Sequence, residues 1–251
     1  MEGEAYTGFA QVYDLFMDNV PYEEWCGYLC RTFCAHGIKE GVLVELGCGT
    51  GKLTRLMAES GYELVGTDCS ADMLAVAANE PGDILWLQQD MRELTLDGSV
   101  AGMYSACDCV NYILEEEELS CVFERVYRYL LPGGLFVFDM NTPYKYRQLL
   151  ADNTFAENRD EGSFIWENYF DGEALVNIYD LTLFIPDGRG LFRKFEEEHC
   201  QKCYEIEQVR RLLERSGFET VAVKDGYTDR PFGQESERAL FVAKRRPQCR
   251  Q

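Results

Sequence analysis

Val42-Leu43-Val44-Glu45-Leu46-Gly47-Cys48-Gly49-Thr50-Gly51-Lys52 is the stretch from which the rest of the chain can be read. Residues 42–46 form a short apolar run that ends in a glycine-rich turn, the pattern of a buried parallel strand. Beyond the turn, Leu53, Leu56 and Met57 recur at helical spacing, and Gly61 supplies a residue that closes a helix. Glycines between a strand and a helix let the backbone turn sharply and approach a ligand with no β-carbon in the way. The start of the following helix carries unpaired N–H groups. Residues 62–66 read as a second strand ending at Thr67-Asp68, which puts Asp68 twenty-one residues after Gly47. A carboxylate at that strand tip can accept both hydroxyls of a ribose.

The alternation continues outward. Ser70 offers an N-cap for a helix that runs to Asn79 and is stopped by Pro81-Gly82. Residues 84–87 and 102–107 read as the third and fourth strands. Residues 116–131 read as a helix with Leu119, Val122, Phe123, Val126 and Leu130 on one face. Pro132-Gly133-Gly134 marks a turn, and 135–139 a fifth strand. Strand–helix alternation of this kind predicts a parallel sheet with right-handed crossovers.

The pattern changes near Asn141. Runs 164–170, 175–185 and 191–199 have strand composition and are separated by the hairpin signals Asp171-Gly172 and Asp187-Gly188. They predict an antiparallel meander inserted into the α/β core. Helical spacing returns over 205–215 with Gly217 as the cap, and strands 219–223 and 238–243 close the chain. The expected division is therefore cap helices and the first part of the core over 1–141, an inserted sheet over 142–204, and the remainder of the core over 205–251.

Composition narrows the function. The chain has 251 residues with 44 acidic and 24 basic side chains, a formal charge of −20. A field of that sign repels phosphate backbones, so no nucleic-acid partner is expected. The one basic cluster, Lys244-Arg245-Arg246, reads as a solvated tail. No apolar run reaches the ~18 residues of a membrane span. The opening residues, with Glu2, Glu4, Asp14 and Asp18, lack the pattern of a secretory signal. A cytoplasmic protein is expected, its 11 cysteines reduced and mostly buried.

Three nucleotide-binding turns can be compared with the glycine stretch. A P-loop needs G-x-x-x-x-G-K-[ST]; Gly51-Lys52 fits its end, but Leu46 and Leu53 stand where Gly and Ser/Thr belong. A dinucleotide fingerprint would need glycine at position 52, which is Lys. The spacing present is G-x-G-x-G. Val-Glu-Leu-Gly-Cys-Gly-Thr-Gly resembles the first motif of class I S-adenosylmethionine-dependent methyltransferases. Further pieces follow in that family's order: Asp68; Ala71-Asp72-Met73-Leu74; Gln89-Asp90-Met91; and Leu130-Leu131-Pro132-Gly133-Gly134. The resemblance covers 42 to 141. It implies a Rossmann-like seven-stranded methyltransferase sheet with S-adenosyl-L-methionine as cofactor. By the same resemblance, Asp68 holds the cofactor ribose and Asp90-Met91 the adenine, and Glu45, Gly47, Cys48, Gly49, Gly51, Cys69, Met73 and Cys107 complete the cofactor site.

The segment Phe9-Ala10-x-Val12-Tyr13-Asp14-x-x-Met17-x-x-Val20-Pro21-Tyr22-x-x-Trp25 resembles the start of small bacterial YqeM-like methyltransferases. That resemblance puts Tyr13 and Trp25 at the methionine end of the cofactor; the other reading has Tyr13, Phe16 and Trp25 packing a helix onto the core.

A sulfonium methyl group is already activated, so the protein's task is mainly alignment. A base is needed only where the nucleophile carries a proton. In this fold the end of the fourth strand faces the methyl group. The stretch there, Cys107-Asp108-Cys109-Val110-Asn111-Tyr112, contains no Asn-Pro-Pro-Tyr, which weighs against methylation of adenine or glutamine nitrogens. Asp108, Asn111 and Tyr112 either face substrate or pack and cap. His36, beside Gly37, reads as a cationic helix-end residue, and His199 as a candidate base. Asp108, Tyr112 and His199 are thus the catalytic candidates. No metal is expected: Cys200-x-x-Cys203 lacks a second pair, and Cys26, Cys30 and Cys34 fit one packed helical face. The runs Glu196-Glu197-Glu198 and 115–118 read as solvated faces. Aromatics of the inserted sheet are expected to roof the pocket. The predicted reaction is SN2 methyl transfer to nitrogen or oxygen of a small polar acceptor. A non-catalytic S-adenosylmethionine-binding regulatory module and an NAD-dependent oxidoreductase are the rival readings.

Overall fold

The computed structural model of the chain describes Ala10 and residues 13–246. Phe9 and Val12 of the opening segment, with Glu2 and Glu4, lie outside the described residues. Two short N-terminal helices, α1 (Tyr13–Phe16) and α2 (Tyr22–Ala35), precede the alternating core. The core runs β1 (Val42–Leu46), α3 (Lys52–Glu59), β2 (Glu63–Asp68), α4 (Ala71–Asn79), β3 (Ile84–Gln88), β4 (Val100–Ser105), α5 (Glu116–Tyr129) and β5 (Leu130–Asn141). An antiparallel sheet follows: β6 (Thr154–Arg159), β7 (Gly162–Asp171), β8 (Val176–Pro186) and β9 (Phe192–Lys202). The chain then returns to the core with α6 (Ile206–Arg215), β10 (Phe218–Asp225) and β11 (Arg238–Arg245).

The main sheet has seven strands in the order β10-β11-β5-β4-β1-β2-β3. All neighbours are parallel except β11, which runs antiparallel to both β5 and β10. Strand alternation divides the core in two, because successive side chains point to opposite faces. Val44 and Leu46 join Phe136, Phe138 and Phe241 on the α5/α6 face, whereas Leu43 joins Phe33, Val137 and Leu240 on the α2/α3 face. The rings of Phe136, Phe138 and Phe241 stack in series at 4.7 and 5.0 Å. The Ser70 hydroxyl accepts from the Met73 N–H and caps α4, as its position before the apolar run predicted.

Several expectations are corrected by tertiary pairing. The Pro132-Gly133-Gly134 turn lies inside β5: Leu130 pairs with Val100, and a register shift carries the chain to the Leu135–Gly102 pair. The inserted meander has four strands, not three. β6 was hidden because Glu157, Asn158 and Arg159 give it little strand character, and its turn at Asp160-Glu161 has no central glycine. Lys244 and Arg245 belong to β11, and the Arg245 guanidinium donates to the Tyr127, Arg128 and Leu130 carbonyls at the end of α5. His36 does cap α2, yet burial pushes its pKa down, with Lys244 adding to the effect, so it is not the cationic cap expected. Cys26 and Cys30 both point their thiols at Met57 Sδ, 3.6 and 3.7 Å away.

Among the described residues, no helix is long and apolar enough to cross a membrane.

Candidate functional site

In an open parallel sheet, the strand order reverses where two neighbouring strands send their connections to opposite sides, and a crevice opens beyond their carboxyl ends. Here that point lies between β1 and β4. A cavity of about 200 Å³ sits there, walled by the glycine turn after β1 and by the residues just past the tips of β2, β3 and β4.

The glycine turn is folded onto its neighbours. Gly47 N–H and Cys48 N–H both donate to the Thr67 carbonyl, at 2.8 and 3.0 Å, and Gly51 N–H donates to the Cys48 carbonyl at 2.9 Å. Gly49 N–H donates to Asp68 Oδ2 at 2.8 Å. Gly51 has φ +76°, and a Cβ there would lie 2.4 Å from the Trp86 ring. Gly47, at φ +71°, admits Cys109, whose Sγ would lie 2.7 Å from an added Cβ. An added Cβ at Gly49 would meet nothing within 4 Å, so this glycine alone of the three borders open space. Four N–H groups of the turn are thus already bonded to protein and do not form a phosphate nest.

Asp68 ends β2 with its side chain at the cavity floor. Its two oxygens are aimed by backbone donors, Gly49 N–H on one and Ser70 N–H at 2.9 Å on the other. Burial raises its pKa, partly offset by these bonds. Glu45 is buried at the inner end and accepts from the Thr54 and Tyr104 hydroxyls. Burial pushes its carboxyl up to about 8. Asp90, past β3, is held by Arg92 through backbone and guanidinium, which overcomes its partial burial and keeps its pKa low. Cys48, Cys69, Cys107 and Cys109 also line the cavity, and burial raises every one of these thiols, Cys107 to about 12. None is a thiolate nucleophile near neutrality.

A second cavity, of about 360 Å³, adjoins the first under the antiparallel sheet. Tyr13, Cys107 and Tyr112 line both. Cys107 and Asp108 carry φ +58° and +52°, two consecutive non-glycine residues in the left-handed region. This strained corner is fastened by Asp108, which accepts from Arg238 Nη2 and Gln201 Nε2, both at 2.8 Å. The other arm of Arg238 pairs with buried Asp139. Burial works to raise the Asp108 carboxyl, but Arg238, Lys145 and Gln201 outweigh it and hold it low. Asp108 is an anchored anion and a poor proton acceptor. His199, on β9, sits 3.1 Å from Glu197 Oε2 and 3.5 Å from the Tyr112 hydroxyl. Trp25, Phe164, Trp166 and Tyr179 supply aromatic walls.

Of the residues expected at a cofactor site, Tyr13, Glu45, Gly47, Cys48, Gly49 and Asp68 line the first cavity. Cys69, Met73, Asp90, Met91 and Cys107 line it too. Gly51 does not, serving instead the start of α3. Trp25 lies in the second cavity, stacked on Tyr227 at 4.2 Å beneath the Arg238 guanidinium. Of the catalytic candidates, Asp108, Tyr112 and His199 all reach the second cavity, whereas Asn111 is spent on Lys202 and Asn141 backbone. Glu197 is turned inward with its side chain 5% exposed, so the acidic run on β9 is not uniformly solvated. Gln201 and Arg238 were not anticipated: each lies far in sequence from Asp108, and neither belongs to a local motif.

The cavity chemistry selects among ligands. The first cavity holds Glu45, Asp68 and Asp90 against Lys52 and Arg92 among its described lining residues. A ligand bearing a diol fits the aimed oxygens of Asp68, whereas a pyrophosphate would meet the Asp68 and Asp90 carboxylates and already bonded amides. Comparison with known proteins agrees. Residues 43–134 match the family described as "Methyltransferase domain". The structure superposes on a crystal structure of an S-adenosylmethionine-dependent methyltransferase from Clostridium acetobutylicum ATCC 824 with a TM-score of 0.86 and 27% identity, covering 96% of this chain and 99% of that one. A dTDP-3-amino-3,4,6-trideoxy-alpha-D-glucopyranose N,N-dimethyltransferase from Streptomyces venezuelae is 28% identical, over 80% of this chain and 81% of its own length. "Putative methyltransferase YqeM" from Bacillus subtilis (strain 168) is 33% identical, over 96% of this chain and 97% of its own length. The chain belongs to the S-adenosylmethionine-dependent methyltransferases, in the family of the YqeM-like proteins.

Proposed function

We propose that the chain transfers a methyl group from S-adenosylmethionine, held at the glycine turn, to nitrogen or oxygen of a small polar acceptor in the adjoining aromatic cavity. The observation that carries this reading is the shared wall: Tyr13, Cys107 and Tyr112 line both cavities, so the two ligands meet at the strained corner past β4. When bound, S-adenosylmethionine supplies a methyl group activated on a sulfonium. Asp68 accepts from the ribose hydroxyls, with both oxygens aimed in advance by Gly49 and Ser70. Asp90 and Met91 would hold the adenine, with Cys69, Met73 and Glu45 completing the cofactor site. The Asp108–Arg238–Asp139 cluster keeps the corner rigid, so the acceptor is aligned in advance.

The inserted segment, 142–204, roofs the acceptor with Phe164, Trp166 and Tyr179. The Streptomyces venezuelae enzyme, named for a sugar nitrogen, supports a small-molecule acceptor. The charge of −20 supports the absence of a nucleic-acid substrate.

Calorimetric titration tests the core of this reading. S-adenosylmethionine should bind the wild type and NAD should not. Asp68→Ala should weaken binding about 10- to 100-fold, the worth of charge-assisted hydrogen bonds. A folded wild type that binds NAD and ignores S-adenosylmethionine would contradict it.

A further inference from the structure

His199 and Glu197 are the only imidazole–carboxylate pair among the described contacts, and both side chains are 5% exposed. They lie two residues apart on β9, so strand alternation puts both on the inner face. His199 Nε2 approaches Glu197 Oε2 at 3.1 Å, and its other ring nitrogen, Nδ1, approaches the Tyr112 hydroxyl at 3.5 Å. The Tyr112 and His199 rings meet edge to face, with centroids 6.0 Å apart. Tyr112 stands on the wall shared by the two cavities, and His199 lines the acceptor cavity. A carboxylate on Nε2 favours the tautomer with its proton there, which leaves Nδ1 as an acceptor aimed at the tyrosine. Methyl transfer to a neutral, proton-free nucleophile would need none of this.

We infer that Tyr112, His199 and Glu197 form a proton relay, and that the acceptor it serves is an amine that arrives protonated. The inference rests on the methyl-transfer reading and narrows its acceptor class. The ammonium N–H proton passes to the Tyr112 oxygen as the tyrosine proton moves to His199 Nδ1. The freed nitrogen lone pair forms the new N–C bond while the methyl–sulfur bond breaks, its electron pair remaining on sulfur. The imidazolium faces Glu197 until its proton leaves to solvent. Imidazole suits this task because proton transfer is efficient when donor and acceptor are not far apart in acidity, which holds for an ammonium and fails for an alkanol. Other charged or titratable groups lining the same cavity are already engaged. Asp108 pairs with Arg238, Lys145 donates to Asn141, Glu157 pairs with Arg159, and Tyr179 donates to Gln201. Cys107 points its thiol at the Tyr22 hydroxyl, 4.0 Å away, and Tyr13, from α1, is kept protonated by burial.

The chain has two histidines, so ¹⁵N-histidine NMR reads the relay directly, with His36→Gln assigning the signals. The neutral His199 ring should carry its proton on Nε2. Glu197→Gln should weaken that preference for Nε2, and Tyr112→Phe should move the Nδ1 resonance. In a methyl-transfer assay, a 3-amino-sugar nucleotide and its 3-hydroxy counterpart serve as probes. The amine should be methylated and the hydroxyl not. His199→Gln should lower kcat/KM by about 100-fold or more, and Glu197→Gln should lower it by a smaller factor. A proton on Nδ1, a tautomer indifferent to Glu197→Gln, methylation of the hydroxyl probe, or methylation of neither probe while S-adenosylmethionine binds would overturn the relay. Wild type that fails to bind S-adenosylmethionine would overturn the reading beneath it instead.

Discussion

At the residue scale, Glu45 shows how one position can be readable in kind and unreadable in state. Its place at the end of a buried strand is plain from 42–46, but its environment comes from Thr54 and Tyr104, one helix and one strand away. An ordinary glutamate ionises near 4.5, whereas the buried Glu45 keeps its proton up to about 8. Below the ordinary value both folded and unfolded chains are protonated, and the group has no effect on stability. Between the two values the unfolded chain ionises first, so stability falls as pH rises, and the full loss is reached above the folded value. Glu45→Gln should therefore lose less thermal stability than wild type between about pH 5 and about pH 9. Differential scanning calorimetry across that range checks it; parallel curves for the two proteins would contradict the assignment. The placement of Asp68, in contrast, was legible, because a strand-tip carboxylate at fixed spacing from a glycine turn is a local pattern.

At the scale of elements, β11 joins pieces that nothing local connects. Its first residue, Arg238, binds Asp139 of β5 and Asp108 past β4, and lies 5.3 Å from the Trp25 ring of α2. Tyr227, in the β10–β11 loop, stacks on Trp25 and donates to Asp139. Removing one partner from a buried ion cluster leaves uncompensated charge, which costs about 3–5 kcal/mol. Arg238→Met should lose stability of that order in urea unfolding near neutral pH, with the deficit narrowing in acid as the carboxyls protonate. A loss below about 1 kcal/mol would show the cluster to be of the exposed kind. The elements themselves were largely legible: β1 to β5 and α3 to α6 follow from period and punctuation. Boundaries moved where a partner strand extended them, as at Leu130–Asn141. β6 escaped because its pairing with β7 is the main source of its strand character.

For the whole molecule, charge and topology set the behaviour. A net charge of −20 on one folded chain is self-repelling, and repulsion between exposed charges is screened by salt. The thermal midpoint should rise when NaCl is increased from about 0.02 to about 0.5 M, a change followed by circular dichroism. A fall would mean that attractive surface pairs such as Arg159–Asp18 outweigh the net repulsion. The same field acts against extended nucleic-acid backbones while leaving an approaching cation favoured.

The sequence by itself determined the strand–turn–helix alternation, the parallel core, the inserted antiparallel sheet, and a first cavity built on Glu45, the glycine turn, Asp68 and Asp90. Those features are set by periodicity and by short motifs whose residues act within a few positions of one another. Only the tertiary structure decided that Trp25 faces the second cavity, that Asp108 is anchored by Arg238 and Gln201, and that Glu197 turns inward to His199. These contacts join residues as many as 213 positions apart, as between Trp25 and Arg238. Apart from the i, i+2 pair on β9, their partners are chosen by sheet order, the register of β9 and β11, and the left-handed corner at Cys107-Asp108, which no local period or spacing encodes.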